Sequence, residues 1–320
     1  MSSPSIEPPD KAVAKATILD FAAARGFVRA RILAPFSTAP SSSLGSSNYG
    51  EGAPSALVAA LAYGNGAPEP PPGGGGPWVR LDKFSQRNYY AEAVARLKRI
   101  AVDIRDSLGG GRSDFRILCN SPVPEKPMAV ACGLGVPGRN SLIMTPEAGS
   151  SAVIAVLALP FALPGDPPLT AAGAEGSTAD SSAADRSFPF CGSCRLCVEA
   201  CPTAALPGDG SIDRTRCIQW FASRPGEIPD FVAAAWGDRL YGCSVCRDVC
   251  PANRKPLRGI DTDRGALPEL LPADELIESS DAELSARFKG TALGMGWFGP
   301  AAIRRNARIA SRKPSAPPIP

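Results

Sequence analysis

The strongest constraint on this chain is the spacing of eight of its ten cysteines. The first run contains Cys191, Cys194, Cys197 and Cys201. Two residues separate each neighbouring pair among its first three cysteines, three residues lie between the third and the fourth, and a proline follows the fourth to form a Cys-Pro step. A second run ends in the same step and contains Cys217, Cys243, Cys246 and Cys250. This spacing is typical of bacterial ferredoxins that hold two 4Fe-4S clusters. The chain is therefore predicted to carry electrons.

In two-cluster ferredoxins, the cysteine before the proline binds the neighbouring cluster. The first cluster would then be bound by Cys191, Cys194, Cys197 and Cys250, and the second by Cys201, Cys217, Cys243 and Cys246. Eight ligands satisfy two cubanes, because each cubane takes four cysteines. Only Cys119 and Cys132 are left over.

Two other uses of cysteine explain the pattern less well. A zinc site takes four ligands, commonly as two separated pairs, and would leave Cys197 and both Cys-Pro steps unexplained. A disulfide framework is typical of small secreted chains, whereas this chain has 320 residues and we expect no apolar signal segment after its Ser/Pro-rich start. Iron-sulfur binding is therefore favoured.

Composition restricts the chemistry further. The chain contains no histidine, which excludes a Rieske centre, a histidine-ligated haem and a histidine general base. The net charge of +3 is too small to indicate a partner. The longest apolar stretch, residues 152–163, contains Pro160 and is shorter than the roughly 20 residues that cross a bilayer. We expect no membrane span and no twin-arginine leader, and hence a cytoplasmic protein.

Hydrophobic periodicity predicts an α+β or α/β fold. Helices are expected at residues 11–25, 89–108, 273–277 and 282–288, and strands at 27–33, 56–63, 115–118 and 151–159. The Gly/Pro-rich stretch 64–77 is expected to be a surface insertion. The domain prediction is an α/β domain at 1–170, a linker at 171–187, a ferredoxin-like double 4Fe-4S domain at 188–256, and short helices with a basic tail at 257–320.

The motifs resemble those of the epoxyqueuosine reductase family. The resemblance lies in residues 191–205, 216–218, 237–243 and 248–253, and upstream in 87–90, 121–126, 132–142 and 147–150. Together these segments cover most of residues 11–255. The resemblance implies an N-terminal, mixed-sheet, corrinoid-binding-like domain. It also implies cobalamin and two 4Fe-4S clusters, which reduce the epoxide of epoxyqueuosine at the wobble position of a tRNA. A low-potential electron donor such as a flavodoxin or ferredoxin system would supply the electrons.

Candidate cofactor-binding residues follow from the same resemblance. They are Arg87, Tyr89, Gly133, Gly135, Gly138, Arg139 and Asn140. The glycines would let the backbone approach a flat cofactor closely. Without any histidine, the chain has none to place beneath the cobalt of a corrinoid.

Cys119 stands where the family has the aspartate thought to donate the catalytic proton, so it is the candidate catalytic residue. The alternative interpretation of Cys119 is a small buried residue at the end of a strand. A basic cluster could contact tRNA phosphates or be a solvated tail, and consists of Arg304, Arg305, Arg308, Arg312 and Lys313.

Three functions remain open on this sequence. The first is the cobalamin-dependent reductase, the second a two-cluster ferredoxin-like electron-transfer protein, and the third a cobalamin-dependent reductase of another substrate, such as a reductive dehalogenase. A simple electron carrier does not need some 170 residues of α/β domain before its cysteines. The expected absence of an export leader argues against a dehalogenase. The reductase is therefore the main prediction.

Overall fold

The computed structural model describes residues 10–34, 55–63, 77–121, 125–169, 188–254 and 262–312. Most of the predicted insertion and all of the predicted linker lie outside these ranges. Backbone contacts divide the chain into two units. The first unit holds the described residues up to 62, 90–138 and 142–194, and the second holds 63–89, 139–141 and everything from 195. These units differ from the predicted domains, because two segments of the predicted first domain belong to the second unit.

Ten helices and nine strands lie in the described ranges. The helices are α1 Lys11–Ala24, α2 Tyr89–Leu108, α3 Glu125–Ala131, α4 Leu196–Glu199, α5 Ile218–Ala222, α6 Asp230–Ala234, α7 Val245–Asp248, α8 Ala273–Glu278, α9 Asp281–Arg287 and α10 Pro300–Ser311. The strands are β1 Arg29–Leu33, β2 Ser55–Ala62, β3 Trp78–Leu81, β4 Arg116–Leu118, β5 Val136–Pro137, β6 Ile143–Met144, β7 Ala152–Leu159, β8 Arg239–Tyr241 and β9 Leu270–Pro272.

The predicted helices and strands are confirmed to within one or two residues. Helix α2 has the predicted bounds, and α1 ends one residue early. Asp10 caps α1 as expected, because its side chain accepts hydrogen bonds from the backbone N–H groups of Ala12 and Val13. The α+β class is therefore confirmed.

The central sheet of the first unit has the strand order β1-β2-β7-β4 and is antiparallel throughout. The mixed sheet expected for residues 1–170 is therefore not the central sheet. A strand that is buried on both faces has the same apolar sequence whether its neighbour is parallel or antiparallel, so the pattern does not encode strand direction. A mixed sheet occurs instead in the second unit, where β3 is parallel to β8 and antiparallel to β9.

Both faces of the central sheet are covered. On one face, Val58 and Val156 form a core with Met128 of α3 and with Cys132. On the other face, Ile32 and its register partner Leu57 are fully buried, and α1 packs on β1 and β2. This explains why all eight residues of β2 are buried. The first unit is thus a sheet between two helical layers.

The second unit has its own core around Trp236, which is fully buried. Its indole N–H donates to the carbonyl of Arg239, 2.6 Å away. Helix α10 packs on α8, β8 and β3. In the described parts of the chain, none of the helices combines the length and apolar composition that a bilayer-spanning helix needs.

Helix α10 corrects the prediction of a basic, proline-rich tail from Arg304. Residues 300–311 are helical, and one face of the helix is buried. That face contains Ala302, Ile303, Asn306, Ala307 and Ala310. The prediction failed because small alanines and one asparagine form the face, and the arginines between them hide its helical spacing. Lys313 and the residues after it lie outside the described ranges.

Asn306 is expected to be a main stabilising contact of α10. It is fully buried, and its amide donates to the carbonyls of Ala222 and Leu240, 3.0 and 2.9 Å away. Replacing Asn306 with alanine leaves both carbonyls without this donor. We expect the free energy of unfolding to fall by about 1–3 kcal/mol in urea titrations. The exposed Arg308→Ala on the same helix should change it by less than about 0.5 kcal/mol. Equal effects of the two substitutions would contradict this role.

Candidate metal centre

The four cysteines predicted to bind the second cluster all belong to the second unit. Cys201 follows α4, Cys217 directly precedes α5, Cys243 follows β8, and Cys246 lies in α7. All four are partly buried. We call Cys201, Cys217, Cys243 and Cys246 the four-thiol group.

Electrostatic coupling shows that these thiols lie close together. Burial raises the pKa of Cys217, and the charge of Cys201 raises it further. Burial raises the pKa of Cys243 to about 11, with a further contribution from Cys217. Burial also raises the pKa of Cys246, to which Cys243 and Cys217 both add. These four thiols are thus close enough to interact, but Cys197 also acts on Cys246, so the assignment of the four to one cluster stays a prediction.

The chemistry of this group fits an iron-sulfur cluster. The thiols of Cys217, Cys243 and Cys246 have raised pKa values and stay protonated at neutral pH unless a metal displaces their protons, since a coordinated thiol is fully deprotonated. In the described residues, no three or more metal-binding side chains meet at the position of a single ion. A cubane is much larger than one ion, so the cysteines around it stand further apart.

Backbone geometry shapes the Cys201-Pro202 step. The N–H of Ala205 donates to the sulfur of Cys201 at 3.2 Å. Ala204 has a φ of 50°, in the left-handed region that non-glycine residues rarely adopt. The guanidinium of Arg216 donates to the carbonyl of Thr203 at 2.7 Å. Hydrogen bonds to sulfur are among the features that set the potential of a cluster. Sequence reasoning predicted the ligand but not this turn.

The residues assigned to the first cluster are divided between the units. Cys191 and Cys194 belong to the first unit, where the N–H of Cys194 donates to the carbonyl of Cys191 at 2.9 Å. Cys197 and Cys250 belong to the second unit, on and just after helices α4 and α7, which pack against each other. The grouping of these four around one cluster stays a prediction.

A buried polar network lies beside the four-thiol group and was not predicted. Arg247 is 8% exposed and donates to the Tyr63 hydroxyl at 2.5 Å and to the Asp82 carboxylate at 2.7 Å. Its guanidinium lies 5.0 Å from the centre of the Tyr63 ring. The positive charge of Arg247 acts on the thiolate of Cys246, next to it in the chain. Nothing in the sequence connects positions 63, 82 and 247, so only the fold reveals the network.

Gly242 allows this network to approach the cysteines. Its φ is +105°, and a Cβ atom at this position would lie 2.1 Å from Cβ of Asp82. Only glycine fits there, because any side chain would displace Asp82 and strain the backbone. The residue before Cys243 is thus determined by the contact with Asp82.

The predicted catalytic residue Cys119 lies just after β4 and is partly buried. Burial raises the pKa of its thiol to about 12, and the negative charge of Glu125 adds to this. Its sulfur lies 3.8 Å from the carbonyl oxygen of Ile154. Asn120, the next residue, has a φ of 50°. The thiol is therefore protonated at neutral pH and is a much weaker acid than a carboxyl group.

Two predicted cofactor-binding side chains have partners inside the second unit. The guanidinium of Arg87 donates to the carbonyls of Gln86, Thr262 and Leu267, at 2.9, 3.0 and 3.3 Å. Tyr89 is 6% exposed, and its ring centre lies 5.5 Å from that of Tyr63. These contacts give both residues a structural role.

The glycine-rich turn also packs against the protein itself. A Cβ at Gly133, where φ is +69°, would lie 2.3 Å from the carbonyl oxygen of Pro167. A Cβ at Gly135 would lie 2.5 Å from the carbonyl oxygen of Met144. The N–H of Gly138 donates to the Leu142 carbonyl at 2.8 Å. Close backbone packing accounts for Gly133 and Gly135, so their missing side chains do not form a cradle for a macrocycle.

The last two predicted cofactor-binding residues lie in the second unit. Arg139 donates to the carbonyl of Gly208 at 2.8 Å, and Asn140 is 3% exposed. Arg139 and Asn140 are therefore engaged or buried within the protein, as Arg87 and Tyr89 are. The cofactor-binding role of all seven predicted residues, Gly138 included, stays a prediction.

The fold and the four-thiol group are those of an iron-sulfur protein of the α+β class. The family of 4Fe-4S double cluster binding domains matches residues 190–253. An epoxyqueuosine reductase from Shewanella oneidensis is 32% identical over 214 residues, which are 65% of this chain and 50% of the relative. One from Synechococcus is 30% identical over 241 residues, which are 72% of this chain and 66% of the relative. The chain is a homologue of the epoxyqueuosine reductases, as its motifs indicated.

Solved structures show the same fold. The epoxyqueuosine reductase from Bacillus subtilis matches this chain with a TM-score of 0.73 at 23% identity. The match covers 94% of this chain and 82% of the Bacillus chain. The epoxyqueuosine reductase from Streptococcus thermophilus matches with a TM-score of 0.71 at 22% identity. That match covers 92% of this chain and 80% of the Streptococcus chain. The chain spans about half the length of several curated relatives that it matches.

Arg247 is expected to raise the reduction potential of the cluster held by the four-thiol group. A unit charge at roughly 10 Å and an effective dielectric constant of about 20 changes an equilibrium constant about tenfold. Arg247→Met should therefore lower the midpoint potential by roughly 60 mV in an anaerobic titration followed by electron paramagnetic resonance.

Two variants serve as controls for Arg247→Met. Arg247→Lys keeps the charge and should keep most of the potential. Arg287→Gln removes a partly exposed arginine that is paired with Glu275, and should leave the potential unchanged. An unchanged potential in Arg247→Met, with its iron content intact, would contradict this role.

Proposed function

We propose that the chain is an iron-sulfur oxidoreductase that reduces the epoxide of epoxyqueuosine in tRNA to queuosine. The observation that carries the proposal is the four-thiol group within a double 4Fe-4S domain. The named function of its relatives supports the reaction. One structure with the same fold, at a TM-score of 0.72, is an epoxyqueuosine reductase with an epoxyqueuosine-modified tRNA stem loop.

The electron count of the reaction agrees with two clusters. An epoxide that becomes an alkene takes up two electrons and two protons, and its oxygen leaves as water. Each 4Fe-4S cluster carries one electron at a time, so two reduced clusters hold the two electrons that one epoxide needs. A low-potential donor of the flavodoxin or ferredoxin class would refill them. We place this reaction in the cytoplasm, together with tRNA.

The residues have distinct roles in this proposal. The four-thiol group holds one cluster, and Arg247 places a positive charge beside it. Cys119 is the candidate proton donor. Its thiol is protonated at neutral pH because burial raises its pKa to about 12. It would therefore have a proton to give, although less readily than a carboxyl group would.

Cobalamin is part of the proposal through the resemblance of the sequence to the family. When bound, it would supply a low-potential cobalt centre that reacts with the epoxide. The candidates to hold it are those that the resemblance gives: Arg87, Tyr89, Gly133, Gly135, Gly138, Arg139 and Asn140.

The second candidate function is a two-cluster electron carrier without chemistry of its own. The observation that favours it is the structural use of Arg87, Tyr89, Gly133 and Gly135. The first unit, with its covered sheet and helices, argues for a reductase, because an electron carrier needs only the cysteine-rich segment.

Replacing a single ligand should remove one cluster. The wild-type chain should contain about eight iron atoms after anaerobic reconstitution, four in each 4Fe-4S cluster. Cys217→Ser should contain about four and should lose reduction of an epoxyqueuosine-containing stem loop, measured by mass spectrometry. Cys132→Ala, a change at a cysteine outside both runs, should keep all the iron. About four iron atoms in the wild type, or zinc in their place, would contradict the assignment.

Cys119 is tested by two substitutions. If its thiol donates the proton, Cys119→Ala should lower the turnover rate by about 10²–10⁴-fold, as is usual for loss of a general acid. Cys119→Asp supplies a stronger acid at the same position and should keep or raise the rate. Iron content should be unchanged in both variants. A wild-type rate in Cys119→Ala would show that this thiol is only a packing residue.

Cobalamin binding separates the two candidate functions. Titration of the reduced, cluster-loaded protein with cobalamin should show saturable binding at micromolar concentration. The cobalt should give a base-off electron paramagnetic resonance spectrum, because the chain has no histidine to bind it from below. Arg139→Ala should weaken binding, whereas Arg308→Ala should not. Absence of binding in the wild type would favour the electron carrier.

A further inference from the structure

Two of the arginines first considered for RNA binding are engaged within the second unit. Arg304 donates to the carbonyl of Ser279 at 3.0 Å and is paired with Asp281. Arg305 donates to the carbonyl of Phe221 at 2.7 Å and to the side chain of Asn306. These contacts attach α10 to the rest of the unit. Arg304 and Arg305 are therefore less available to a tRNA than exposed arginines are.

A different surface of the second unit combines exposed arginines with aromatic rings. The guanidinium groups of Arg224 and Arg214 lie 3.5 and 4.7 Å from the centre of the Trp220 ring. The guanidinium of Arg216 lies 5.0 Å from the ring of Phe231, which is 46% exposed. We call these five residues the arginine-tryptophan surface. It extends from the residues just before Cys217 to the start of α6.

The charges of this surface are available to a ligand. Arg214 and Arg224 are exposed. Within the described part of the chain, their guanidinium groups contact the ring of Trp220. The nearby carboxylate of Asp213 accepts hydrogen bonds from the N–H and hydroxyl of Thr215, at 2.9 and 2.6 Å. That carboxylate is therefore engaged in its own turn, although it also attracts Arg216.

The combination of flat and charged groups favours RNA over a protein partner. Unpaired RNA bases stack on aromatic rings and on guanidinium planes, and arginines bind the phosphates between them. An acidic electron-donor protein would require the positive charges of the arginines, but it would not require an arginine stacked on a tryptophan. Helix α5, which carries Trp220, begins directly after the cluster ligand Cys217. The surface thus shares its polypeptide segment with the metal centre.

We propose that the arginine-tryptophan surface binds the single-stranded loop of the tRNA substrate. An unpaired base stacks on the Trp220–Arg224 pair, and Arg214 contacts a phosphate. This inference rests on the proposed function for the identity of the RNA. It adds a binding surface within the second unit, formed by residues other than the metal ligands.

The test is binding of a fluorescently labelled tRNA anticodon stem loop to the cluster-loaded full chain, followed by anisotropy. Trp220→Ala should weaken binding by roughly 5- to 150-fold, the range measured for loss of one stacked base. Trp220→Phe retains a ring and should restore most of the affinity. Arg308→Gln, an exposed arginine on α10, is the matched charge control and should change affinity less than about twofold.

Salt dependence separates the roles of the two kinds of residue. Arg214→Gln should reduce the slope of log affinity against log salt by about 0.7, the value for one phosphate contact on a single strand. Trp220→Ala should leave that slope unchanged. Iron content should stay at the wild-type level in both variants, because neither residue binds the clusters.

Each outcome has a distinct meaning. If Trp220→Ala and Arg214→Gln bind RNA with wild-type affinity, the RNA-binding role of the surface is contradicted, even if the chain reduces epoxyqueuosine. If these variants keep their RNA affinity but flavodoxin reduces their clusters more slowly, the surface is a docking site for the electron donor and its RNA-binding role is contradicted. A wild-type chain that binds the stem loop but does not reduce it would reject the proposed function and leave the surface standing.

Discussion

The second unit depends on the burial of four thiols in one place. Cys243 and Cys246 lose much of their hydration, and each deprotonated thiol repels the others. A thiolate cluster of this kind is stable only when a metal neutralises it, so folding of this segment and cluster binding are expected to be coupled. Arg247 contributes one further positive charge, which Tyr63 and Asp82 hold in place. Gly242 lets the segment that contains Asp82 come close enough to do so.

Local features of the fold could be predicted from the sequence, and long-range ones could not. The bounds of α2 and the cap at Asp10 follow from apolar spacing and capping chemistry, which act within a few residues. The direction of the strands does not, because β2 and β7 are apolar on both faces. Helix α10 was missed because its buried face consists of small residues and Asn306, between arginines.

The same distinction applies to the site. Cysteine spacing identifies the four-thiol group because cluster ligands follow one another closely in the chain. The network of Tyr63, Asp82 and Arg247 joins three distant segments and has no motif. Arg87 and Gly133 were assigned to a cofactor through family resemblance, yet their contacts in this structure are with the protein's own carbonyl groups. A sequence motif indicates that a residue type is required at a position, but it does not distinguish a residue that binds a ligand from one that packs against the backbone.

The proposed reaction requires that electrons held by the two clusters reduce the epoxide. The most direct test is a single turnover: the chain is reduced anaerobically, excess reductant is removed, and a stem loop that contains epoxyqueuosine is added. Two one-electron clusters should yield about one queuosine per chain, and the absorption of the clusters should return to that of the oxidised form at the same rate. Clusters that stay reduced beside unchanged epoxyqueuosine would contradict the account.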